Sequence, residues 1–273
     1  MIWISGVGGV RPRGRERVIG MQRARRLVSV AVAACLTVGG LSACNQEPDV
    51  AIYRSAGPKT TIAEVQRIYD DARTKLVAQQ ATAGQTGASD AALAPVEVPI
   101  TGPDVVDAIV SREVANRLAQ ANNVTLDSPL PLAEVGQSLG LPADAEYVRL
   151  YAESRLLFAK LLADEDLKPV QATDADVRHV FDIFAATGAM KPGLTYQEFR
   201  SSVSDQAIQT LGRAIAIKQQ TQTQVDQLGL RVNPRYGSSE IAVYTEAGPD
   251  NKPLALVSVP LTEADSSPVL DAR

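Results

Sequence analysis

The sequence predicts a mainly α-helical body with a small β-sheet whose strands lie at the two ends of the helical block. Three observations lead there. Between residues 61 and 227, apolar residues recur at the i, i+3, i+4 spacing that gathers them on one face of a helix. At Val50–Tyr53 and after Gly229 the pattern shortens to strand-like runs bounded by Gly, Pro, Asn and Asp. Aromatic residues make up only 4% of the 273-residue chain. The core must then be mostly Ala, Val, Leu and Ile, which suits packed helices better than a carbohydrate-binding sandwich rich in Trp and Tyr.

The chain opens on segments that concern export rather than folding. From Met21 it has the three parts of an export signal. Arg23, Arg25 and Arg26 form a basic start, Leu27 to Gly40 is apolar or small throughout, and Leu41-Ser42-Ala43-Cys44 resembles a bacterial lipobox. The expectation is cleavage between Ala43 and Cys44, which makes residues 21–43 a lipoprotein signal peptide. A diacylglyceryl group then sits on the Cys44 thiol, residues 44–48 act as an anchor linker, and the protein is held on the extracytoplasmic face of the cell membrane. Each buried methylene contributes about 0.8 kcal/mol and one acyl chain alone binds only marginally, so two or three chains on Cys44 give stable attachment. Residues 1–20 are glycine- and arginine-rich and add charge ahead of an already complete basic start. They read as a mis-assigned N-terminal extension, with translation starting at Met21. The other reading of Leu27–Ala43 is an uncleaved transmembrane helix. The run is near the lower length limit for a span, ends in Gly39-Gly40, and has no basic stop after it.

The body is expected over residues 49–229. Asp49–Arg54 reads as a short strand, and Ser55–Lys59, with Gly57-Pro58, as a turn. Thr61-Ile-Ala-Glu64 has the form of a capping box and opens a helix with Ile62, Val65, Ile68, Tyr69, Ala72 and Leu76 on one face. That pattern stops at Gln79-Gln80, and residues 81–95, rich in Ala, Gly, Ser and Thr, read as a flexible loop. A second helix starts near Thr101-Gly-Pro-Asp104, buries Val106, Ile109, Val110, Val114 and Leu118, and ends at Asn122-Asn123. Residues 129–141 hold a short helical piece. Residues 143–164 form a third long helix with Tyr147, Tyr151, Leu157 and Leu161 inward, and residues 173–186 a fourth with Val177, Val180, Phe181 and Phe184 on one face. A fifth opens on a second capping box, Thr195-Tyr-Gln-Glu198, and continues to Gln227. Residues 230–262 form C-terminal strands, with Glu240–Thr245 and Pro253–Val259 joined by the hairpin signal Gly248-Pro-Asp-Asn251. Residues 263–273 read as a disordered tail. Strands at both ends imply that the two ends of the body meet in a small sheet.

Charge narrows the function classes. Seven arginines and one glutamate fall in residues 1–43, so the chain from Cys44 onward carries 20 basic and 30 acidic side chains, a formal charge of −10 against −4 for the whole chain. An acidic body is a poor partner for nucleic acid and is repelled by an anionic membrane surface, which leaves attachment to the acyl chains. Catalytic chemistry is sparse. His179 is the one histidine, off the shared face of Val177, Val180 and Phe181, and reads as solvated. Cys35, the other cysteine, lies in the leader, so no internal disulfide or thiolate cluster remains. No glycine-rich phosphate loop is present. The stretch from His179 to Phe199 has the outline of an EF-hand, but aligning Glu198 with the last ligand puts Thr187, Ala189 and Lys191 at ligand positions and Pro192 where glycine is required. Asp70-Asp71 and Asp164-Glu165-Asp166 read as solvated helix faces or ends. No catalytic, cofactor-binding or metal residue is assigned, and the chain is expected not to be an enzyme.

The order of elements resembles the SurA- and PrsA-type extracytoplasmic chaperones. Strand Val50–Tyr53, turn and Thr61-x-x-Glu-Val65 resemble their opening. Val105-Val-Asp-Ala-Ile-Val110 through Leu118-Ala-Gln-Ala-Asn122 resembles their second helix. Thr173-Asp-Ala-Asp-Val177 followed by Tyr196-Gln-Glu-Phe-Arg200 resembles their later helix pair, and the lipid anchor is PrsA-like. No segment fits the parvulin prolyl-isomerase domain that those proteins often carry. The resemblance implies a SurA N-terminal-like helical body with terminal strands. It further implies a lipid-anchored chaperone or holdase for unfolded or nascent exported proteins, without isomerase activity and without a cofactor. The other class that suits the same body is a structural lipoprotein docking one defined envelope partner.

Overall fold

The computed structural model describes residues 49–84, 96–249 and 253–261. The expected N-terminal extension and leader, the cleavage site at Ala43 and Cys44, the linker, Asp250-Asn251 of the hairpin signal, residue 262 of the strand segment and the tail at 263–273 lie outside the described residues. So does most of the expected loop, at residues 85–95.

Strands β1 (Val50–Tyr53) and β2 (Thr60–Thr61) precede helices α1 (Ile62–Gly84), α2 (Gly102–Ala121), α3 (Leu132–Leu139), α4 (Glu146–Ala163), α5 (Asp174–Thr187), α6 (Tyr196–Ser202) and α7 (Asp205–Leu228). Strand β3 (Arg231–Val232), a 3₁₀ turn at Pro234–Tyr236, and strands β4 (Glu240–Ala247) and β5 (Pro253–Pro260) follow. The body is mainly α-helical with a small antiparallel β region.

Helices α2 and α4 form the centre. Val105, Val106, Val110, Val114 and Leu118 of α2 are buried against Val148, Leu157, Phe158 and Leu161 of α4. α2 buries more than one stripe because α1, α4, α7 and β4 all pack on it. Thr101 starts it, its N–H and hydroxyl both donating to the Asp104 carboxylate at 2.7 and 2.6 Å, and Asn122 ends it. α7 passes so close to the segment before α5 that the Gly212 carbonyl accepts from Val170 N–H at 3.3 Å. A Cβ at Gly212 would collide with the Val170 carbonyl oxygen.

The two ends of the body do meet. β1 is the middle strand of a three-stranded sheet, paired antiparallel with β2 and with β3 (Ile52 opposite Val232). Asn233 locks the joint: its N–H donates to Ala51 O at 2.9 Å and its side-chain amide to Val50 O at 2.9 Å. Gly229 makes the turn from α7 into β3 at φ +56°, where a Cβ would strike the Ser55 side chain. The hairpin β4–β5 forms a separate two-stranded sheet laid over α2, α4 and α7.

Three expectations need correction. The first helix does not stop at Gln79-Gln80. It runs to Gly84, because Ala78 and Ala81 have high helix propensity without needing a buried face, and Thr82 donates back to Ala78 O at 2.9 Å. The fifth helix is two helices. Ser204, with extended backbone, caps α7 by accepting the Ala207 N–H at 3.2 Å, and so breaks the chain after Ser202. Asp71, read as a solvated face, instead accepts the backbone N–H of Glu146 at 2.8 Å and pairs with Lys75 at 3.0 Å. It caps α4 from another helix, where the N-cap residue Ala145 has no side chain able to do so.

Candidate functional site

The hairpin borders an apolar cleft and a polar one. The apolar groove lies between the α5–α6 arm, the start of α7 and the tip-side half of the hairpin. It encloses about 440 Å³. Val180 and Phe184 of α5, Phe199 of α6, Val203, Ile208 of α7 and Leu256 of β5 supply its apolar surface, and Glu246 and Ser204 its polar groups.

The arm forms because two capping signatures start its helices. Thr173 with Asp176 opens α5, and Thr195 with Glu198 opens α6. Phe181 then meets Phe199 at 5.5 Å and Tyr196 at 5.6 Å between ring centres, and Phe184 meets Phe199 at 6.2 Å. Tyr196 donates its hydroxyl to Asp174, and the Arg178 guanidinium lies 3.9 Å from the centre of the Tyr196 ring. Only Val177 is fully buried in α5 and no residue is in α6. The faces expected to be core on α5 are therefore half-buried: Val180 and Phe184 line the groove, and Phe181 packs on Tyr196 and Phe199 of α6.

The polar cleft is a trough of about 260 Å³ between α2, α4 and β4. Asp104 and Asp107 of α2, Tyr147 of α4 and Glu240 of β4 line it, together with Ser111, Tyr151, Ser154, Arg155 and Thr245. Ser239 donates its hydroxyl to Asp107. Burial pushes the Asp107 carboxyl up to about 7; Asp104 and Glu240 raise it further, and hydrogen bonds from Ser239 and the Glu240 N–H oppose them. Burial also drives the Tyr147 phenol well above its ordinary value and draws the Arg155 guanidinium below its own. Arg155 donates to Thr245, and the Tyr147 and Tyr151 rings stack at 6.1 Å.

The sequence marks none of the trough residues as functional: Asp104 reads as part of a helix start, and Tyr147 and Tyr151 as core. One signal was available. Asp107 interrupts Val105-Val106 and Ala108-Ile109-Val110, a carboxylate inside the most apolar stretch of α2. Ala43 and Cys44 lie outside the described residues. His179 is exposed on α5. Glu198, the position aligned with the last EF-hand ligand, is engaged by the Thr195 N–H at 2.9 Å and hydroxyl at 2.7 Å as a helix cap. Among the described residues no three His, Cys, Asp or Glu side chains gather as a metal site, and no helix is long and apolar enough to cross a membrane. A scan against protein-family models, a search of curated proteins and a search of solved structures each found no match to this chain.

Proposed function

We propose that the protein is an extracytoplasmic chaperone or holdase of the SurA N-terminal type, tethered through a lipid on Cys44. It binds unfolded or partly folded exported proteins without ATP and without isomerising proline bonds. The observation that carries this reading is the apolar groove between the α5–α6 arm, α7 and the hairpin. A holdase needs apolar surface open to solvent and able to accept many sequences. Phe184, Phe199, Val203 and Ile208 offer such surface in a cleft rather than in a closed core. The arm buries so few side chains against the body that a change in groove width breaks few contacts. The net acidic charge favours solubility of a loaded complex. The sequence resemblance to SurA- and PrsA-type chaperones supports the same reading.

The test is aggregation of several unrelated chemically unfolded proteins, followed by light scattering. The full-length protein in detergent should suppress each of them at near-stoichiometric ratio. Ile208→Glu, which places a charge on the groove wall, should cut the protection at least threefold while circular dichroism stays unchanged. No protection of any client, with one stoichiometric partner recovered from envelope extracts, would replace this reading with the scaffold alternative. Turnover of a proline peptide would overturn the statement on isomerisation.

A further inference from the structure

We propose that the trough between α2, α4 and β4 binds short peptides with free termini, the ammonium at the Asp104–Asp107–Glu240 end and the carboxylate on Arg155. This site is separate from the apolar groove and its test does not depend on the holdase reading.

The three elements run along the trough in the same sense. At one end Asp107 takes the hydroxyl of Ser239, beside the start of β4, and Tyr147 feels the charges of both Asp104 and Asp107. At the other end Arg155 reaches Thr245, five residues further along β4, and Ser111 and Ser154 line the wall. The stacked pair Tyr147–Tyr151 lines the cavity along α4. Negative charge therefore gathers at one end of the cavity and positive charge at the other.

The carboxylates take hydroxyl and backbone donors, Asp104 from Thr101, Asp107 from Ser239 and Glu240 from Ser258. Among the described residues, however, none of them meets a lysine or arginine, and no carboxylate forms an ion pair with Arg155. Elsewhere the protein does pair such groups: Arg54 with Glu113 at 2.8 Å, Lys160 with Asp127 at 2.9 Å. Partly desolvated charges of both signs held apart in one cavity are costly, and a ligand that carries the complement of each relieves both.

The length and width select the ligand. From Tyr147 to Arg155 is eight residues of helix, about 12 Å. An extended peptide covers about 3.3–3.6 Å per residue, so three residues with their charged ends span the trough. Ala108, Ala242 and Ala255 line the walls between the poles, which leaves width for a backbone with small side chains. The ammonium also sits near the Tyr147 ring, where a cation is favoured.

Proton linkage gives a second readout. The groups facing Asp107 are Asp104 on its own helix, Tyr147 on α4, and Ser239 and Glu240 at the start of β4. At that end β5 presents the uncharged Ser258, which donates its hydroxyl to Glu240, while Pro253 and Ala255 lie opposite Ala247 and Thr245. Asp107 gives up its proton only near pH 7, and an ammonium beside it favours the ionised form. Binding should tighten as pH rises from 6 to about 7.5 and weaken again above about 8, where the peptide's own amine loses its proton.

The experiment is calorimetric titration of the full-length protein with tri-alanine, N-acetyl-tri-alanine and tri-alanine amide. Tri-alanine should bind, and blocking either end should weaken it at least tenfold, about 1.4 kcal/mol. In Arg155→Met the difference between acid and amide should shrink below twofold. In Asp107→Asn the difference between free and acetylated amine should shrink and the tightening between pH 6 and about 7.5 should flatten. Thermal melts check that both variants fold. No binding of tri-alanine up to about 10 mM, or equal binding of the blocked peptides, overturns the proposal.

Discussion

Asp107 is the residue at which folding and chemistry compete most openly. Its neighbours Val106 and Ala108 are buried, yet it must ionise to carry charge into the trough. Its carboxyl is held at about 7 in the folded protein against an ordinary 3.8. The folded state thus binds this proton more tightly than the unfolded chain. The contribution to stability is full below about pH 3.8, is lost as pH rises towards 7, and is absent above it. Asp107→Asn keeps an acceptor for Ser239 and removes the ionisation. It should stabilise the protein by about 1–2 kcal/mol at pH 8, less than the full shift because the residue is partly exposed to screening, and give no gain at pH 3.5. Urea unfolding at the two pH values measures this, and an equal gain at both would refute the assigned cause.

At the scale of elements, the ends of helices decide what the apolar pattern leaves open. The pattern of Phe199, Val203, Leu211 and Ile215 reads as one continuous stripe, and only the Ser204 cap divides it into α6 and α7. The corner matters because it turns α6 back over α5 and forms one wall of the groove. The start of α4 is capped across space. Burial raises the Asp71 carboxyl, but the Glu146 N–H and Lys75 outweigh it and hold the group below its usual range. Arg67 in turn grips Glu146 through two hydrogen bonds. Asp71→Ala should cost about 1 kcal/mol, a fall in Tm of about 2–4 °C, with Asp71→Asn losing less because it can still accept the N–H. A differential scanning calorimetry trace in which alanine and asparagine behave alike would show that the cap contributes nothing.

The whole molecule joins its ends through β1 and β3 and holds its second sheet over the helices, so the hairpin borders both clefts. The proposed anchor at Cys44 precedes β1 by only a few residues of sequence. Cys44→Ala should leave the described body folded and move the protein from the membrane fraction to the soluble extracytoplasmic fraction. Mass spectrometry of the wild-type N-terminus should find the lipid on Cys44. Persistence of the variant in the membrane would favour the uncleaved helix.

The sequence by itself determined the helix starts at Thr61, Thr101, Thr173 and Thr195, the ends at Asn122 and Gly229, and the strands around the helical block. Each depends on residues within about four positions of one another, and such local pairings are written in the chain. Tertiary structure decided the rest. That Asp71 caps α4, that Asp107 meets Ser239, and that Phe184 and Phe199 face a groove rather than a core all rest on partners from distant segments. An apolar stripe has the same spacing whether a neighbouring helix covers it or solvent does, and a carboxylate reads the same in sequence whether it is solvated or buried. Only the packing of α5 and α6 away from the α2–α4 centre, and of β4 against α2, gave those residues their surroundings.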